Sequence, residues 1–251
     1  MKELIKFEIR KILRSKAFYI LLAISIAFLI FTAATARLTN EALKKLGEPE
    51  LPFSAYYFAK GAMSNSSMTL MLGIFVAIFV CEDFVGPIKN ILGKGYSRTH
   101  VFFAKYLVSL ATTIVWYVLV IVVALVYSSI AWGNSLPISD NIFVIFLGQF
   151  LGLIAIHSFY FAIAYGFTKL STSIAVILLA PIGINLLLGL LDKAFNITVY
   201  KISGFWLDGV VANYTTSATN DKMLIWGFLL LAIYTAGSIA LGLYFAKRKE
   251  V

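Results

Sequence analysis

The sequence predicts an all-α polytopic membrane protein with six transmembrane helices and both termini in the cytoplasm. It also predicts an amphipathic N-terminal interfacial helix and a short cytoplasmic helix between spans two and three. Three observations carry this. The 251 residues are 61% apolar and only 13% charged, whereas a soluble domain carries about 25% charged residues to coat its surface. The apolar residues gather in six runs, each long enough to approach or exceed the ~20 residues that cross the hydrocarbon core. The net charge of +9 sorts unevenly among the segments between those runs. The mean hydropathy of +0.90 agrees.

The runs are 17–36, 63–81, 104–131, 142–167, 172–191 and 223–246, and none contains Asp, Glu or Arg; Lys105 sits at the edge of the third. The first lacks a small-x-small cleavage site leading into a soluble domain, so it reads as an anchor that stays. With the N-terminus inside, segments 1–16, 82–103, 168–171 and 247–251, together with Lys105, hold 14 basic and 5 acidic residues, while 37–62, 132–141 and 192–222 hold 7 of each. Basic residues resist translocation, so the basic face is cytoplasmic. A nucleic-acid partner requires a basic face on a soluble domain and is excluded. The lone Cys81 excludes an intrachain disulfide and a Cys-rich metal site. No linker or repeat divides the chain, and residues 1–251 read as one membrane domain.

The pieces between the spans have their own patterns. In residues 1–16, Leu4, Ile5, Ile9, Ile12 and Leu13 share a helical face, with Lys6, Arg10 and Arg14 on another. Such a helix reads as lying at the membrane surface, its apolar stripe among acyl chains and its cations near anionic headgroups, or simply as a positive-inside anchor, and the two readings are compatible. Outside, residues 40–46 predict a short helix closed by Gly47, followed by an aromatic cluster of Phe53, Tyr56, Tyr57 and Phe58. Stretches 53–59 and 202–212 are too short to span and read as interfacial or re-entrant. Asn196-Ile-Thr198 and Asn213-Tyr-Thr215 fit the glycosylation pattern, which is too short to carry weight.

Loop 82–98 is the most informative segment. Glu82 and Asp83 end span two, Pro87 suits a first helical position, Gly93 or Gly95 can stop the helix, and Ser97 can cap span three. The helix has about two turns, with Ile88, Ile91 and Leu92 on one side, and is too short to stand alone in water. It needs a partner surface, lipid or protein.

Glu82-Asp83-x-x-x-Gly86-x-Ile88-Lys89-Asn90, then Gly95-x-Ser97-Arg98, resembles the loop of type-2 ABC transporter permeases, including those of bacterial peptide and lantibiotic self-immunity exporters. The opening tail and the six-span layout extend the resemblance over most of the chain. Pro87 stands where that family has Thr or Ser, so a hydroxyl cap is missing. The resemblance implies a coupling helix that seats in a groove of a separate ATPase subunit, with Glu82, Asp83, Gly86, Ile88, Lys89, Asn90, Ile91, Leu92, Gly95, Ser97 and Arg98 at that contact. It implies two ATPase copies, a second permease of the same or a sister chain, and a multi-pass place in a bacterial cell membrane. ATP and Mg would be held by the partner, with no cofactor on this chain.

Within the spans, Gly148 and Gly152, and the series Ser158, Ala162 and Gly166, offer close helix approach. His157 reads as a buried hydrogen-bonding group rather than a proton relay. Pro181 and Asn185, one turn apart, read either as a gate or as a polar group satisfying carbonyls that Pro181 frees. Gly93-Lys94 is the only Gly-Lys pair and lacks the flanking residues of a phosphate-binding loop, so this chain is read as a transport subunit and not an enzyme. The expected function is an ATP-driven exporter permease for an amphiphile, an antimicrobial peptide or drug. The alternatives are a stand-alone ion-coupled carrier and, less favoured, an intramembrane protease, which lacks its metal or nucleophile motifs.

Overall fold

The computed structural model describes residues 1–49, 61, 66–84, 87–132, 142–197, 201–214 and 221–248. Every regular element among them is helical: α1 (Lys2–Arg14), α2 (Lys16–Leu46), α3 (Ser66–Phe84), α4 (Pro87–Gly93), α5 (Arg98–Trp132), α6 (Ile142–Phe167), α7 (Leu170–Ala194), a 3-10 turn (Ile202–Phe205), α8 (Leu207–Asn213) and α9 (Asp221–Arg248). Five helices are long and apolar enough to cross a membrane, namely α2, α5, α6, α7 and α9. α3, at 19 residues, is the remaining long apolar helix. The aromatic cluster at 53–58 lies outside the described residues, as do Thr198 and Thr215 of the two glycosylation patterns.

α3 and α6 are the inner helices. α3 packs against α2, α5, α6 and α7, while α6 makes its most extensive contact with α9 and also meets α3, α5, α7 and α8. Aromatic residues fill the spaces between them. Phe18 of α2 meets Phe75 of α3 at 5.5 Å and Trp116 of α5 at 5.7 Å, both edge-on. Phe102 of α5 packs on Phe161 and Tyr165 of α6 at 5.4 and 5.0 Å. Edge-to-face pairs of this kind add about 0.5–1.5 kcal/mol beyond area burial.

The short outer helix expected at 40–46 is instead the tail of α2, which runs unbroken for 31 residues, about 46 Å at the α-helical rise. Nothing between Ala36 and Leu46 interrupts a helix, and Arg37 and Glu41 pair at i,i+4. Gly47 ends it at φ 73°, with its N–H donating to the Lys44 carbonyl and that of Glu48 to Leu43. The stop was legible, while the start was misplaced because apolar content, not helix content, ended at residue 36.

One end of the bundle gathers α1, α4, the start of α5, the tight α6–α7 turn and the end of α9. Arg98 donates to the Lys247 carbonyl at 3.0 Å, and Phe84 meets Tyr165 edge-on at 5.5 Å. The opposite end holds the 3-10 turn and α8. Asp192 at the end of α7 accepts from the Ile202 and Ser203 N–H groups and from the Ser203 hydroxyl. Leu207, Val210, Val211 and Tyr214 are buried, so α8 is a wedge in the bundle rather than a surface loop.

Candidate functional site

The candidate site grows from the α3–α4–α5 connection. α4 occupies the two turns expected from Pro87 to Gly93. The Lys94 and Gly95 N–H groups close its end on the Ile91 and Leu92 carbonyls, and Gly95 takes the left-handed conformation, φ 85°. The Ser97 hydroxyl accepts from the His100 N–H at 3.3 Å, so it caps α5. Gly86 and the side chains of Ile88 and Lys89 lie outside the described residues.

The apolar side of α4 rests on the protein itself. Ile91 and Leu92 are half-buried against a small cluster of Leu4 from α1 and Val101 and Ala104 from α5. Asn90, Gly93, Lys94 and Gly95 are exposed. Between α4 and α1 opens a cleft of about 520 Å³ whose walls include Glu3 and Phe7 on one side and Asn90, Lys94 and Tyr96 on the other. Arg98, one of the residues expected at the coupling contact, is spent on the end of α9.

Beneath this cleft lies a buried charge cluster that sequence reasoning did not assemble. Lys105 of α5 is fully buried and donates to the Glu8 carboxylate of α1 at 3.1 Å. It also pairs with Asp83 of α3, 1% exposed. Lys11 of α1 donates to Asp83 Oδ1 at 2.5 Å and to the Phe79 carbonyl at 3.2 Å. The half-exposed Glu82 stands 3.6 Å from Lys11 Nζ. Both ammonium groups also lie over the Phe79 ring, at 4.7 Å for Lys105 and 5.2 Å for Lys11. Burial lowers the Lys11 pKa, and the charges of Glu8 and Glu82 oppose that shift.

Glu8, Lys11, Asp83 and Lys105 form two cations and two anions, so the buried group is neutral as a whole. Such a cluster adds little net stability over an apolar substitute, but removing one member leaves a buried charge unmatched. Its effect is geometric: it fixes α1, the end of α3 and the start of α5 to one another at the base of α4. The missed signal was legible. Glu8 interrupts the stripe Leu4-x-x-x-Glu8-x-x-x-Ile12, all three buried, and Lys105 is the only basic residue at the edge of an otherwise charge-free run.

The intramembrane residues sort differently. A methyl group on Gly148 would strike the Tyr214 ring, and one on Gly152 would strike Val211, so this glycine pair receives the α8 wedge. Ala162 and Gly166 face α9, near Gly242 and Phe245. Ser158 accepts from Tyr106 at 2.8 Å and donates to the Ile154 carbonyl. His157 is buried, with Nε2 at 2.5 Å from the Ser109 hydroxyl. α7 runs through Pro181. Asn185 donates to Asp208 of α8 at 3.0 Å, so its amide serves the wedge. Among the described residues, no three His, Cys, Asp or Glu side chains gather as metal ligands would.

A bundle of long apolar helices, five of them able to cross a bilayer, defines a multi-pass membrane protein. Residues 4–192 match the model of the ABC-2 family transporter proteins, and the chain belongs to that family. No curated protein matches it.

Proposed function

We propose that the chain is the permease subunit of an ATP-driven exporter, with α3 as the sixth span, both termini cytoplasmic, and ATP and Mg bound by two copies of a separate ATPase. A second permease, the same chain or a sister, completes the path through the cell membrane. The observation that carries this reading is the α3–α4–α5 connection standing on a buried charge cluster, in a chain of the ABC-2 family with no phosphate-binding loop of its own. A push on α4 passes to α3 and α5 together because Asp83, Lys105, Glu8 and Lys11 tie their ends. The surface offered to the ATPase is the polar edge of α4 at Asn90 and Lys94 with the cleft beside it, since Ile91 and Leu92 face inward. The buried member Asp83 acts from below that surface, Glu82, Gly95, Ser97 and Arg98 flank it, and Gly86, Ile88 and Lys89 are assigned to the same contact by the family resemblance alone.

The cargo is an amphiphile drawn from the membrane, an antimicrobial peptide or drug. Wholly apolar spans, the aromatic residues of the outer segments and the resemblance to immunity permeases support this. The test is reconstitution in vesicles with and without an ATP-binding-cassette ATPase from the same organism, following export of a fluorescent amphiphilic peptide. Export that needs both the ATPase and ATP is the expected result. Transport by the chain alone on an ion gradient would establish the stand-alone carrier instead.

A further inference from the structure

Between α1, the first turn of α2 and the outer face of α5 runs a groove of about 330 Å³. Its walls are chiefly apolar: Ile5, Ile9 and Leu13 of α1, Phe18 of α2, and Leu107 and Ala111 of α5. This is the part of the α1 stripe that the bundle leaves uncovered. Leu4 and Ile12 turn inward and are buried, while Ile9 and Leu13 remain 45% and 60% exposed.

The groove has a cationic rim. At ~100° per residue, Lys2 falls within the Ile5–Ile9–Leu13 stripe at its N-terminal end, Lys6 follows directly on it around α1, and Arg10 and Arg14 come next. All four are exposed. The acids of α1 are Glu3, which falls between Arg10 and Arg14 around the helix and three residues from Lys6, so that the exposed rim keeps four cations to one acid, and Glu8, which is buried against Lys105. An occupant must therefore bring an alkyl chain and a negative head together. A purely apolar segment leaves the cations unmet, and a zwitterionic head brings its own cation to them.

We propose that this groove binds one anionic glycerophospholipid, an acyl chain lying between α1 and α5 and the phosphate against Lys6 and Arg10. The lipid completes the side of α1 opposite the charge cluster, so that α1 is held by ion pairs on one face and by lipid on the other. The assignment rests on reading the α1 end as the cytoplasmic membrane face. Binding itself is measurable without the ATPase, so its failure and that of the exporter reading are separable.

The test is native mass spectrometry of the full chain in detergent, titrated with phosphatidylglycerol or with phosphatidylcholine of identical acyl chains. Each cation near an anionic headgroup contributes enough that wild type should retain phosphatidylglycerol on the order of tenfold more strongly. Lys6→Gln with Arg10→Gln should erase that preference and leave phosphatidylcholine retention unchanged. Ala111→Trp, which fills the groove, should lower retention of both lipids. Lys45→Ala with Lys193→Ala, exposed cations near the far ends of α2 and α7, should change nothing. Helicity by circular dichroism identifies any variant that has failed to fold, and Lys6→Ala with Arg10→Ala then replaces the first pair. Equal retention of both lipids by wild type overturns the proposal, as does a preference that survives the Lys6 and Arg10 changes or disappears with Lys45 and Lys193.

Discussion

Lys105 concentrates the energetic stakes of the molecule in one side chain. Fully buried, it faces Glu8 and Asp83 at once. Lys105→Met should destabilise the protein by about 3–5 kcal/mol, because it leaves the buried Glu8 without its cation and Asp83 with Lys11 alone. Adding Glu8→Gln alone should restore much of that loss, since the remaining Lys11–Asp83 pair is matched and no unpaired ion stays buried. Unfolding in detergent, followed by circular dichroism, checks both outcomes. Half of this network was readable beforehand: Glu82 and Asp83 stood out at the end of span two, and Glu8 broke an apolar stripe. Their pairing was not, because it joins residues 72 and 97 positions apart that only the packing of three helices brings together. The apolar stripe of α1 misled in the same way. It is one face by periodicity, but the bundle takes Leu4 and Ile12 and leaves Ile9 and Leu13 outward.

At the scale of elements, α8 decides what the small residues are for. Gly148 and Gly152 announce a close approach, and the structure supplies Val211 from a seven-residue helix and Tyr214 from its C-cap rather than a neighbouring span. Gly152→Leu should overpack this contact and cost about 1–3 kcal/mol, seen as a lowered thermal midpoint, while Gly237→Leu, with open space around it, should be nearly neutral. The short apolar stretch at 202–212 was recognisable as unable to span, but its burial was not, since the pattern predicts an interfacial or re-entrant piece. Its partner surface was not recognisable, since small residues mark a site of approach without naming what approaches. Asn185 shows the same limit: its spacing from Pro181 pointed along its own helix, and it bonds across to Asp208. Loop 82–98 was the most legible element, because Pro87, Gly95 and Ser97 act locally through helix start, left-handed turn and cap.

For the molecule as a whole, the charge surplus and the packing agree on which segments lie together. Described parts of the segments that carry the basic excess lie at one end of the bundle: residues 1–16 and 82–103 meet through the charge cluster, Phe84 meets Tyr165 just before the α6–α7 turn, and Arg98 bonds the Lys247 carbonyl. Hydropathy made the helical fold readable, while loop charge predicts a polarity that labelling tests. Cys81, buried against Ser173, is a quiet background for labelling. Single cysteines at Lys94 and at Lys45 should therefore report opposite sides: in intact cells an impermeant maleimide should reach the second and not the first.

The central claim is that a separate ATPase drives this chain through α4, and co-purification of an ATP-binding-cassette ATPase from the same organism on the tagged chain tests it most directly. Lys94→Glu with Asn90→Glu reverses and crowds the exposed edge of α4 without touching its buried side, and Lys45→Glu serves as the control at the other end. The account predicts that wild type and Lys45→Glu retain the ATPase and that the α4 variant loses it while keeping its helicity and membrane insertion. Retention of the ATPase by the α4 variant at the wild-type level would contradict it.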